Sequence, residues 1–237
     1  MRLVPFLLVV LAIALAPLHD ATSAPAPAVT PEVAFEQDMM LRFHMHENFG
    51  VVRGIERFLL RGQLDDAKQL AAAIGQAPNA PGLGAFAEHT ARVRKAAFDL
   101  ASAKNLEQAV RREATLLQAC AGCHVAAAII PDLAPPPALP PDRDSIDARM
   151  ARHLWAADRL WDGIVAGDDA AWKVGIDLLA SGPPTWAPPT KPQRDFAKRL
   201  QLIADSERRT RSTRLSTRAD TYGELFLTCV GCHTIKR

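Results

Sequence analysis

A Cys-x-x-Cys-His pentad occurs twice in this 237-residue chain, at Cys120-Ala-Gly-Cys123-His124 and at Cys229-Val-Gly-Cys232-His233. No other feature limits the fold so tightly. The spacing is that of a c-type haem attachment site. Two thiols add across the porphyrin vinyl groups and the adjoining histidine binds the iron, so all three side chains have to be offered from one helical turn. The two copies use all four cysteines. Zinc or a disulfide is the alternative reading, but structural zinc pairs lie much closer in sequence than the 109 residues separating Cys120 from Cys229. Zinc also leaves the trailing histidines unexplained. A thioredoxin-like pair needs a strand-to-helix context, and no strand pattern is visible. The sequence therefore predicts two covalent haem c groups, with His124 and His233 on the irons.

Met1-Arg2 precedes an apolar run from Leu3 to Leu18 and small residues from Ala21 to Ala28. That order matches a secretory leader, and residues 1–26 are expected to be removed. The run is too short, and too interrupted by Pro5 and Pro17, for a comfortable membrane span. An uncleaved anchor is the alternative. No cysteine near the cleavage zone could take a lipid. Export agrees with the motifs, because bacterial haem attachment takes place outside the cytoplasmic membrane. A periplasmic protein with no integral span in its mature form is expected. A net charge of +2 gives no case for nucleic acid.

The chain is 49% hydrophobic, with one tyrosine and few β-branched runs, which favours helices. Thr30-Pro31-Glu32 opens a helix reaching about Arg61, with Met45, Phe49, Val52, Ile55 and Leu59 on one apolar face. Helices follow at about 64–74, 85–101 and 106–124, the last leading to the cysteines. Residues 126–145 hold six prolines and read as a linker. The pattern then begins again. Met150, Leu154, Ala157, Trp161 and Ile164 form a stripe, a helix covers 170–180, a third starts near Phe196, and Leu215 to Phe226 lead to Cys229. Met45 maps onto Met150 and Gly62 onto Gly167 at one offset, and Leu106 onto Leu215 and Cys120 onto Cys229 at a second, four residues larger. The expected architecture is all-α, two tandem antiparallel four-helix bundles over 27–125 and 146–237, from an old duplication.

Only four residues follow His233, so any sixth ligand on that iron has to come from upstream. In an antiparallel bundle the first and fourth helices face each other, which makes Met150 the candidate and Met45 its equivalent. His44, His46 and His153 lack repeat partners and are expected at the surface or beside a propionate. Met39, Met40 and His89 also lack partners.

A bundle carrying Cys-x-x-Cys-His near the end of its last helix resembles the class II c-type cytochromes, the cytochrome c′ group, in each half. High-spin members of that group leave the distal side open. Low-spin relatives place a first-helix methionine on the iron, in a setting similar to Phe43-His44-Met45-His46-Glu47-Asn48. The chain departs from the group in carrying two such units.

The resulting expectation is a non-enzymatic carrier of electrons between periplasmic or membrane-bound redox proteins. Methionine–histidine ligation raises the potential and leaves no open iron position. Binding of a diatomic gas, nitric oxide or carbon monoxide, at an open or displaceable distal site is the alternative. Trp155, Trp161, Trp172 and Trp186 all fall in the second half, so the two haems should differ in surroundings. Arg208, Arg209, Arg211, Arg214 and Arg218 form a basic run that could dock an acidic redox partner.

Overall fold

Capping chemistry fixes where four of the helices begin. The computed structural model describes residues 31–131, 133–182 and 190–235; the leader read at 1–26 and Trp186 lie outside them. Among the described residues there are eight α-helices and no strand. They are α1 (Pro31–Leu60), α2 (Leu64–Gln76), α3 (Ala87–Ala101), α4 (Leu106–Ala126), α5 (Ile146–Val165), α6 (Asp169–Ala180), α7 (Lys191–Thr210) and α8 (Leu215–Thr234). Side-chain oxygens of Asn105, Ser145 and Asp168 accept first-turn amides of α4, α5 and α6, each worth about 1 kcal/mol. A short 3-10 turn, Leu83–Phe86, precedes α3, which therefore starts later than its sequence pattern suggests. In contrast, α7 starts five residues before the expected Phe196. Thr190 and Gln193 form a reciprocal capping box, and Pro192 sits in the first turn, where its missing N–H is not needed.

Helix ends repeat at the offsets seen in the sequence. α1 and α5 both stop before a glycine in the left-handed region, Gly62 at φ 74° and Gly167 at φ 67°, where a side chain would be strained. Within each half, consecutive helices pack side by side. The halves also pack on each other, chiefly α4 on α8, with α1 reaching α8 and α5 reaching α4. One continuous core results, including Ile55, Leu59, Val110, Leu116, Leu117, Leu160, Ile164 and Tyr222.

Two contacts locate an approximate twofold axis through that core. A Cβ on Gly223 of α8 would lie 3.1 Å from the Cβ of Ala114 in α4. Arg53 of α1 pairs with Asp158 of α5. In each pair the partners are repeat equivalents. Positions related by a twofold can touch each other only beside its axis.

Burial departs from the first-helix stripes. The buried face of α1 begins at Val52, and in α5, Arg149 aside, at Ala156. Phe49 is 39% and Leu154 54% exposed, so neither is the core residue its periodicity implies. The proline-rich segment is tied back to α5: Trp155 Nε1 donates to Pro137 O at 2.8 Å and Arg152 to Pro140 O at 2.8 Å. Among the described residues no helix is long and apolar enough to cross a membrane.

Candidate functional site

Both Cys-x-x-Cys-His motifs occupy the last turns of helices, Cys120 to His124 in α4 and Cys229 to His233 in α8. At i, i+3 and i+4 the two thiols and the imidazole share one helix face. None of the four cysteines is in a disulfide. Burial pushes the Cys120 and Cys229 thiols up to about 12 and raises Cys123 and Cys232 as well. Thiols held protonated in this way are poor nucleophiles for disulfide exchange. Nor do the pairs converge: among the described residues no group of three or more His, Cys, Asp or Glu is placed to hold a metal.

The imidazole of His124 is held in a defined tautomer. Its Nδ1 lies 3.0 Å from the carbonyl oxygen of Val165. A carbonyl only accepts, so Nδ1 carries the proton and Nε2 keeps its lone pair for a metal. Val165 ends α5, and carbonyls of a last helical turn have no partner within the helix. The first motif is thus oriented by the second half. At the other end of the repeat, Thr234, next to His233, packs on Gly62 just beyond α1, with its Cγ2 3.1 Å from where a Cβ would stand. A thiol pair, a free Nε2 and an oriented ring on one helix face fit the covalent haem that the motif implies.

Met45 and Met150, the candidate distal ligands, are both half-buried on their first helices. Met39 and Met40 are about half exposed, at 52% and 51%. Asn48 Nδ2 donates to Nε2 of His44 at 3.0 Å, and burial lowers the proton affinity of that histidine. His153 is half-buried rather than exposed, so of the two places expected for it the open surface is excluded. Burial, and then the charges of His233 and Arg149, lower its proton affinity, which puts it within electrostatic reach of the second motif. Its repeat equivalent is Asn48, so symmetry alone discards it. The signal that finds it is its position one turn after Met150 on the same helix face.

Between the two motifs lies a polar cluster that the sequence pattern did not announce. Glu56 is 3% exposed and Glu113 0%. Tyr222 Oη donates to Glu56 Oε1 at 2.9 Å, and Arg53 reaches Glu56 Oε2 at 2.5 Å as well as Asp158. The repeat equivalents of Tyr222 and Glu56 are Glu113 and Trp161. Here both carboxyl oxygens of Glu113 and the indole Nε1 of Trp161 are buried without a partner. Arg53 stacks 5.5 Å over the Trp161 ring, and Phe49 meets the same ring edge-on at 5.0 Å.

The basic run is not one surface. Arg218 is 4% exposed, donates to Gly163 O at 3.0 Å and to Ser212 O, pairs with Asp169, and lies over Trp172. It stitches α8 to α5 and α6 and is removed from the candidate docking set. Arg208 pairs with Asp205, and Arg209, Arg211 and Arg214 remain exposed beside it. Comparison with protein-family models, with curated proteins and with solved structures finds no match to this chain.

Proposed function

We propose that the chain is an exported dihaem c-type cytochrome that carries electrons between periplasmic redox partners, built from two related four-helix units that share one core. The observation that carries this reading is the fixed tautomer of His124, whose Nδ1 proton is committed to Val165 O at 3.0 Å while Nε2 stays free. A disulfide gives no reason for that arrangement; zinc could use it equally, and against zinc stand the 109 residues that separate Cys120 from Cys229. Bound haem supplies a one-electron iron couple. The residues would supply the rest: Cys120, Cys123, Cys229 and Cys232 would carry the thioether bonds, His124 and His233 would hold the irons, and Met45 and Met150 would be the second protein ligand to each. The half-exposed apolar side chains of Phe49 and Leu154 favour a flat hydrophobic group against these helices. At the second site His153, one turn after Met150 on the same helix face and likewise half-buried, is the competing ligand.

Haem staining of a denaturing gel and the intact mass of the protein, produced with a bacterial haem-attachment system, test the proposal. Two covalent haems per chain are expected. A mass equal to the chain alone would remove the reading.

A further inference from the structure

The Glu56–Glu113 cluster has no part in attaching or ligating haem. We propose that Glu113 is a redox-linked proton site, taking up a proton from water when a haem is reduced and returning it when the haem is oxidised; this rests on the dihaem reading above. Both oxygens of Glu56 already receive donors, from Tyr222 and from Arg53, so Glu56 is held as the carboxylate. Nothing donates to either oxygen of Glu113, and the side chain is wholly enclosed. A second carboxylate there would stand beside Glu56 and be opposed only by Arg53, already shared with Asp158, since Arg57 bears on Glu56 alone. Glu113 therefore carries its own proton until a nearby positive charge displaces it.

The charged and titratable groups facing the pair are Arg53 and Arg57 from α1, Cys120 from α4, Asp158 from α5, and Tyr222 and Cys229 from α8. Burial raises Glu113 well above an ordinary carboxyl, and the charge of Glu56 adds to that rise. Burial also raises Glu56, against the opposing pull of Arg53 and Tyr222. Both haem-attachment sites are within reach of the cluster. Glu113 stands seven residues before Cys120 on α4, roughly 10 Å along the axis, and the charge of Glu56 bears on Cys229. Arg53 and Asp158, with side chains 21% and 31% exposed, connect the cluster to solvent.

The balance is one electron and one proton. A protein electron donor reduces Fe(III) to Fe(II), a proton from bulk water forms the O–H bond of Glu113, and reoxidation returns both. A ferric iron's extra positive charge weakens that O–H, so the midpoint potential falls as pH rises. The slope approaches about 59 mV for each tenfold drop in proton concentration between the two proton affinities.

Spectroelectrochemistry of the haem-loaded protein from about pH 5 to about pH 9, with redox-difference infrared spectra, tests this. The expected result is a pH-dependent midpoint and a protonated-carboxyl stretch that follows the redox state. Both should vanish in Glu113→Gln and the stretch should persist in Glu56→Gln. A flat midpoint in the wild type, or a slope that survives in Glu113→Gln, overturns the assignment, as does loss of the stretch only in Glu56→Gln. If Glu113→Gln fails to fold, a wild-type difference spectrum without any carboxyl band still overturns it. Failure of the dihaem reading itself shows separately, as a chain without covalent haem.

Discussion

The crossing of α4 and α8 at Ala114 and Gly223 sets how the two halves meet, and it can be tested by moving one methyl group. Gly223→Ala adds a Cβ whose nearest neighbour, the Ala114 Cβ, would be 3.1 Å away. Overpacking of this kind costs about 1–3 kcal/mol. Replacing a mid-helix glycine by alanine returns about 1 kcal/mol. The single variant should therefore lose about 0–2 kcal/mol net. Ala114→Gly should lose about 1–2 kcal/mol, from helix propensity and a lost buried methyl. The double variant moves the methyl to the other side of the axis and should match the wild type to within about 0.5 kcal/mol. The coupling in this cycle is thus about 1–4 kcal/mol, or a Tm difference of roughly 2–4 °C per kcal/mol for a chain of this size. Guanidinium denaturation of the haem-loaded protein, followed by helical circular dichroism, reads it. Additive effects, with coupling below about 0.5 kcal/mol, would show that the helices do not cross at these residues.

Arg53→Met leaves the carboxylate of Glu56 in the core without its cation and should cost about 3 kcal/mol, whereas Asp158→Asn, on the wetter side of the same cluster, should cost less than about 1 kcal/mol by the same denaturation assay. Glu113 binds its proton more tightly folded than unfolded, so its contribution to stability is complete below the ordinary value of 4.5 and is lost as pH rises toward the raised one. Glu113→Gln should accordingly lose less stability than the wild type as pH is raised from about 5 to about 8, and an identical loss in both would contradict the raised affinity. Met45→Ala should remove the far-red sulfur-to-iron band of the first haem and open it to carbon monoxide without altering the second. Met150→Ala should do the same at the second haem, and a spectrum that changes with His153→Ala instead would give that iron to His153.

How much was legible in the sequence follows from the range of each interaction. Helix class, helix order and the glycine stops at Gly62 and Gly167 depend on contacts within a few residues, so periodicity and capping chemistry carry them. The start of α7 was hidden because Pro192 looks like a loop residue until Thr190 and Gln193 are recognised as a capping box. The two motifs were visible as well, since Cys, Cys and His lie within one turn. What the sequence could not show is which surfaces the halves bury against each other. Arg218 belongs to a basic run by position, yet tertiary packing places it over Trp172 and beside Asp169. Phe49 and Leu154 keep helical periodicity but stay 39% and 54% exposed, at the edge of the core, where Phe49 meets the Trp161 ring edge-on. Arg53 with Asp158, Tyr222 with Glu56, and His124 with Val165 join residues 105, 166 and 41 positions apart. No local pattern encodes such pairs. They arise when α4 meets α8 across an approximate twofold axis, and that docking alone encloses Glu113 and fixes the tautomer of His124.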